Sequence, residues 1–179
     1  MEAPKPKLLN LAGLWEYALR ILAARAYSSG EIREKLRRRA EKAGDVDGVI
    51  ILLKDRGYID DRRFAESFAS ARLTNDKFGS SRVARDLRTR RVAPGLAETT
   101  VRKVYQDVDE QKLIEDFIRR KYRLAEREGL FADDKDLAKA YRRLVHSGFR
   151  SGEILKTLKR FARNPELLDA FEPPEEEAE

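Results

Sequence analysis

The 179-residue chain has no cysteine, one histidine, one tryptophan and one methionine. Without thiols it has no disulfide, no thiolate nucleophile and no cysteine-based metal site, and it suits a reducing cytoplasm, its expected location. The lone histidine, His146, stands just before Gly148 and reads as a helix-terminal residue rather than a base or ligand. No apolar run approaches the ~20 residues that cross a bilayer. Met1–Lys7 carries charge and prolines without the apolar stretch of a signal peptide. A glycine-rich phosphate loop is also missing. Asp60-Asp61 and Asp133-Asp134 are candidate carboxylate pairs or metal ligands, yet each precedes a helix, where N-terminal capping accounts for them. These absences leave no catalytic residue, cofactor site or metal site to assign, so a binding protein without enzymatic activity is expected.

What the chain has in excess is charge. Charged residues make up 39% of it, against ~25% in ordinary domains, which implies helices with broad solvated faces around a thin core. The net charge of +6 hides an asymmetry, because the segment from Asn164 onward holds seven acidic residues and no basic one. Removing those seven from the total of 32 leaves 25 acidic against 38 basic residues, a surplus of 13 over residues 1–163. Such a body favours an anionic partner, nucleic acid first. Residues 172–179, Glu-Pro-Pro-Glu-Glu-Glu-Ala-Glu, have nothing to bury and are expected to be a disordered acidic tail.

One ten-residue phrase occurs three times. Tyr27-Ser-Ser-Gly-Glu-Ile-Arg-Glu-Lys-Leu36 returns as Phe78-Gly-Ser-Ser-Arg-Val-Ala-Arg-Asp-Leu87 and as Phe149-Arg-Ser-Gly-Glu-Ile-Leu-Lys-Thr-Leu158. A repeated unit of this length signals an array that binds along a surface. Only helical periodicity is present. Trp15, Leu19, Leu22 and Ala26 fall at helical spacing, with Leu14, Ala18 and Ile21 beside them. The first phrase opens a second helix through a capping box of Ser28 and Glu31, and Ile32 and Leu36 form its buried stripe. After a break at Gly44-Asp45, Val49, Ile50 and Leu53 mark a third helix ending at Gly57. The same order recurs twice: a helix with Phe64, Ala65, Phe68 and Leu73, the second phrase, and a helix over Leu96–Tyr105 set off by Pro94-Gly95. Then come a longer helix over Gln111–Glu128, another over Leu137–His146, the third phrase, and a short segment at Pro165–Phe171. The fold class expected is all-α, with three tandem three-helix, helix-turn-helix-like repeats over residues 14–59, 60–107 and 108–171, preceded by an N-terminal extension, 1–13.

The phrase-leading aromatics Tyr27, Phe78 and Phe149 precede their helices by one or two residues. A hydrophobic staple is the expected role, with base stacking as the functional alternative. Trp15 is expected in the core. In the second phrase helix Arg82, Arg85 and Arg88 share one arc, while Val83, Ala84 and Leu87 share the opposite side. The first phrase helix carries Arg33, Arg37 and Arg38 among its cations, and Arg119 and Arg120 belong to a further cluster. Guanidinium forks suit phosphate and carboxylate alike. The exposed positions of these helices offer little Asn or Gln to pair with adenine, so sequence-specific operator binding is a minor reading.

The stretches Tyr17–Leu36, Leu53–Phe68 (Leu-Lys-Asp-Arg-Gly-Tyr-Ile-Asp-Asp-Arg-Arg-Phe-Ala-Glu-Ser-Phe), Phe78–Leu87 and Gly148-Phe149 with the helix that follows resemble the RecX family, bacterial regulators of the RecA recombinase. The resemblance covers about residues 14–163. It implies three tandem three-helix repeats in an elongated, curved body. It also implies binding to the RecA–single-stranded-DNA filament along its groove, which lowers filament growth, ATP turnover, strand exchange and co-protease activity. That setting is recombinational DNA repair and the SOS response. Charge, rather than the resemblance, marks Arg33, Arg37, Arg38, Arg82, Arg85, Arg88, Arg119 and Arg120 as contact residues. The expected partners are the RecA filament and its single-stranded DNA, with bare DNA a further candidate, no membrane, and the chain itself a monomer. The alternative is a helical protein that binds nucleic acid directly, architectural or transcriptional, with no recombinase partner.

Overall fold

A computed structural model of the chain describes residues 8–122 and 134–161. Nine α-helices account for most of these residues: α1 Leu11–Ala24, α2 Ser29–Arg37, α3 Ala43–Asp55, α4 Asp61–Ala71, α5 Ser80–Thr89, α6 Pro94–Tyr105, α7 Glu110–Tyr122, α8 Asp134–His146 and α9 Ser151–Phe161. A π-helical turn, Arg72–Asp76, extends α4. Among the described residues there is no strand; the nearest approach is one parallel bridge between Leu9 and Ala40. The expected all-α array of helical repeats is the fold observed. The parts of the expectation that fall on Leu124–Glu128, Asp133 and Pro165 to the end lie outside the described residues.

Several boundaries differ from the sequence reading, each for a local reason. Gly44-Asp45 does not interrupt the chain but lies in the first turn of α3, whose N-cap Lys42 makes no side-chain cap bond. Pro94-Gly95 likewise forms the start of α6, since a proline at the first helical position gives up an N–H that has no intrahelical partner. In α1 the fully buried positions are Leu14 and Ala18. Trp15, Leu19 and Leu22 are half-buried, and Ala26 lies beyond the helix end, so the buried stripe is rotated from the one that the spacing of bulky residues suggests.

The described residues form two compact units. One comprises the chain up to Phe68 together with Asp86–Thr100, the other Ala69–Arg85 together with the chain from Val101 onward. The first is built around Leu14, Ala18, Ile32, Leu36, Val46, Val49, Ile50, Leu53 and Ile59, from α1 to α3 and the turn after them. The second is built around Leu113, Ile114, Phe117 and Ile118 of α7, Leu137 and Leu144 of α8, and Phe149, Ile154 and Leu158 at and within the third phrase.

Each unit contains a junction of one design. In the first, the N-terminus of α2 meets the turn that ends α5. The Ser28 hydroxyl donates to the Arg90 carbonyl at 2.5 Å. Arg91, in the left-handed region at φ 59°, closes that turn, with Val92 N–H bonded to the Leu87 carbonyl. A Cβ on Gly30 would stand 2.5 Å from the Arg91 carbonyl oxygen. In the second unit, the N-terminus of α5 meets the turn that ends α8. Gly79 N–H donates to the Ser147 carbonyl at 2.8 Å and Ser81 N–H to the Gly148 carbonyl at 3.3 Å. Gly148 has φ 87°, and a Cβ there would collide with the backbone of Arg82. In both cases a carbonyl left over at a helix C-terminus faces a helix N-terminus, taken by a side-chain hydroxyl in the first junction and by backbone N–H groups in the second, so opposite ends of two helix dipoles meet.

The capping box read at Ser28 and Glu31 is present: Glu31 N–H donates to Ser28 Oγ at 3.0 Å, and Ser28 N–H to Glu31 Oε2 at 3.2 Å. The third phrase differs. Arg150 N–H donates to Glu110 of α7 at 2.8 Å, while Glu153 takes Gln111 and Lys156. Gly152 faces open space.

Gly148→Ala is expected to lower the stability of the second unit by at least about 1–2 kcal/mol, the cost of a left-handed backbone for an L-residue before any clash is counted. Gly152→Ala, with room for the methyl group, is expected to be neutral or stabilising by up to about 1 kcal/mol. Urea unfolding of the two variants beside the parent measures both.

Candidate partner and nucleic-acid interface

The eight arginines singled out from the sequence are all exposed or half-buried, and seven of them have contacts within the chain. Arg33 of α2 pairs with Asp47 of α3. Arg38 pairs with Glu34 one turn back at 3.2 Å. Arg37, beside them, is exposed and makes no hydrogen bond or ion pair among the described residues. On α5 the apolar side behaves as the spacing predicts, Val83 and Leu87 being fully buried. On its other side Arg82 lays its guanidinium 3.7 Å from the centre of the Phe78 ring. Arg85 donates to the His146 carbonyl at 3.3 Å, and Arg88 lies 3.8 Å from Glu98. Arg119 stands 5.7 Å from the centre of the Phe161 ring. Arg120 forks onto the carbonyls of Asn75 and Asp76, both at 2.5 Å, at the end of the π-helical turn.

The three clusters therefore differ in character. Arg82 and Arg85 help to hold the junction at the α5 N-terminus, and Arg120 caps a helix end, so each of these groups has structural as well as surface consequences. Arg37 and Arg38 add charge to a solvated face at little structural cost, because an exposed i,i+4 pair contributes only about 0.3–0.5 kcal/mol.

Sequence reasoning passed over a second set of cations. Arg90 binds Glu31 at 3.1 Å and Arg25 reaches the same carboxylate at 3.5 Å, so the capping-box glutamate is also the centre of an ion cluster. Arg91 lies 3.8 Å from Glu34. The one sequence clue was the Arg90-Arg91 pair directly after a phrase helix.

The aromatics at the head of the phrases do not share one environment. Phe149 is buried, its ring 5.7 Å from that of Phe117 in an edge-on arrangement. Phe78 is half-buried against the same core, with Arg82 over one face. Tyr27 packs against the first core but carries the Arg25 guanidinium 3.7 Å from its ring centre. The core role expected of all three thus holds most fully for Phe149. Trp15 is a boundary residue: it meets Tyr58 edge-on at 5.8 Å and the Arg56 guanidinium at 4.9 Å.

The acidic pair Asp60-Asp61 is used for capping, in two ways. Asp60 Oδ1 accepts from Arg62 N–H at 2.9 Å and Arg63 N–H at 3.0 Å, at the start of α4. Asp61 instead reaches α2 of the first repeat, accepting from Ser29 N–H at 2.7 Å and the Ser29 hydroxyl at 2.5 Å. His146 is exposed at the C-terminus of α8, as expected.

A family model described as the first three-helix domain of RecX matches residues 15–50, and one for the second three-helix domain matches residues 60–101. A regulatory protein RecX of Trichlorobacter lovleyi is 31% identical over 137 residues, which are 76% of this chain and 88% of that protein. The chain belongs to the RecX family. A regulatory protein RecX of Thermus thermophilus is 31% identical over 140 residues, 78% of this chain and 86% of that protein. The crystal structure of RecX from Lactobacillus salivarius shares the fold, with a TM-score of 0.63 at 19% identity over 90% of this chain and 97% of that one. The two matched RecX domains hold six of the eight arginines, Arg33, Arg37 and Arg38 in the first and Arg82, Arg85 and Arg88 in the second. Family membership makes the chain a regulatory protein and does not by itself say which of these side chains meets a partner.

The Asp60 carboxyl is held below its ordinary value of 3.8, first by the Arg63 N–H, then by the Arg62 N–H and the charges of both arginines, against an opposing desolvation. A carboxyl lowered in the folded state adds stability above its unfolded pKa and loses it as pH falls through the folded one. The stability difference between the parent and Asp60→Asn is therefore expected to be largest near neutral pH and to close below about pH 4. Thermal unfolding across that range measures it.

Proposed function

We propose that this RecX-family chain is a regulator, mainly an inhibitor, of the RecA recombinase, acting by binding the RecA–single-stranded-DNA filament. Filament growth, ATP turnover, strand exchange and co-protease activity are all limited as a consequence. The observation that carries the reading is the relation to proteins named regulatory protein RecX over most of their length. The basic body supports it. A surplus of 13 positive charges over residues 1–163 suits a surface of phosphates and acidic side chains. A regulator of this kind acts as a monomer in the cytoplasm, and its three repeats, 14–59, 60–107 and 108–171, present successive helices to the filament.

Contact is assigned to Arg33 and Arg37 on α2 and Arg38 at its C-cap, to Arg82, Arg85 and Arg88 on α5, and to Arg119 and Arg120 on α7. Arg37 and Arg88 are the most informative members, because neither holds a helix end or a buried ring.

Titration of the chain into RecA hydrolysing ATP on single-stranded DNA tests the proposal. Inhibition well below one copy per recombinase monomer, undiminished by excess DNA, is the expected result. No effect until the DNA is coated, or none at all, would contradict it and favour direct DNA binding with a steep salt dependence. The pair Arg37→Ala with Arg88→Ala is expected to raise the concentration needed for half-inhibition by roughly threefold to tenfold, at about 0.5 kcal/mol or more per lost exposed charge contact, with the helical circular dichroism unchanged. Unaltered inhibition by that variant would remove the contact assignment.

A further inference from the structure

The first compact unit contains a cleft of about 620 Å³ that the arginine faces do not include. Its walls are rich in aromatic rings: Tyr27 at the head of the first phrase, Tyr58 from the turn after α3, and Phe64 and Phe68 from α4. Phe64 and Phe68 are four residues apart, so their rings stack along the helix with centroids 6.1 Å apart and planes only 22° from parallel. Tyr58 is half exposed. It touches Trp15 edge-on, and its half-exposed ring offers an apolar body with a polar tip to whatever enters the cleft.

Three guanidinium groups, those of Arg25, Arg63 and Arg90, also line the cleft. Arg25 and Arg90 are partly neutralised by Glu31. Among the described residues the Arg63 guanidinium bonds to the main-chain carbonyl of Gly57 alone, at 3.3 Å, which leaves most of its donor fork unused. Among the described lining residues the one carboxylate, that of Asp60, is already engaged by two N–H groups of α4. Flat rings beside an open guanidinium match a ligand that is planar and apolar at one end and anionic at the other. An aliphatic side chain from a protein partner satisfies the rings but not the arginine. A nucleotide satisfies both, and the volume is within the range of small-molecule sites and ample for one.

We propose that this cleft receives one unstacked base of single-stranded DNA, with its ring against Tyr58 and Phe64 and its phosphate on Arg63. The assignment deepens the filament reading by naming where the chain touches nucleic acid, and it is tested apart from that reading.

The probe is a single-stranded oligodeoxynucleotide carrying 2-aminopurine, titrated with the intact chain at fixed salt. Stacking on an aromatic ring quenches the probe, so quenching by the parent is expected. Tyr58→Phe should retain it. Tyr58→Ala should weaken binding roughly tenfold, as loss of one stacked base does. Arg63→Ala should weaken binding less and flatten its salt dependence by about one phosphate contact. Because Tyr58 also touches Trp15, circular dichroism and the unfolding midpoint of Tyr58→Ala are measured alongside, and Tyr58→Phe with Arg63→Ala carries the conclusion if that variant is poorly folded. No quenching by the parent, or equal binding by the parent, Tyr58→Ala and Arg63→Ala, would overturn the proposal. A photo-crosslink from position 58 to recombinase rather than to DNA would also overturn it, by naming a protein occupant. Quenching without ATPase inhibition keeps the cleft and rejects the filament reading; inhibition without quenching does the reverse.

Discussion

The fold depends on the seating of a helix-terminating turn on the first residues of a phrase helix. An α-helix leaves donors unsatisfied at one end and carbonyls unsatisfied at the other. Here the carbonyls of Arg90 and Ser147, at turns completed by left-handed residues, are received by Ser28 and Gly79 of the preceding phrase. That contact requires backbone approaching backbone, which explains a small residue at the point of closest approach, Gly30 in one junction and Gly79 in the other. A repeat with so thin a core gains both satisfied polar groups and burial from its neighbour, and the same phrase recurring in the chain reflects the same demand recurring in space. In the third phrase Arg150 and Gly152 occupy the corresponding places, one paired with Glu110 and the other facing open space.

Much of this was legible in the residues. The Ser28–Glu31 capping box, the buried pair Ile32 and Leu36, the apolar face of α5 at Val83 and Leu87, and the capping role of Asp60 all follow from local rules, and all are present. What was not legible depends on partners distant in sequence. Asp61 caps a helix that begins 32 residues earlier. Glu31 serves its own N-cap and also two arginines, one of them 59 positions away. The aromatic that heads each phrase occupies one position in the motif and three environments, because its surroundings come from whichever element packs beside it. Gly44 and Pro94 misled in the opposite sense: both residues disfavour a helix interior but are tolerated in a first turn, and their position relative to the helix start decides between the two.

The same distinction governs the basic surface. Composition shows that an anionic partner is favoured, and family membership shows a regulatory role, but an arginine counted as surface charge can be occupied within the fold. Arg85 and Arg120 donate to carbonyls, and Arg82 covers a ring. Substituting them perturbs junctions and caps together with any contact. Arg37 and Arg88 separate recognition from stability more cleanly.

The most direct measurement is electron microscopy of RecA filaments formed on single-stranded DNA and incubated with the chain. The account predicts additional density on the filament that follows its groove, with α2 and α5 turned toward recombinase and DNA. Filaments without added density, alongside density confined to protein-free DNA, would contradict it.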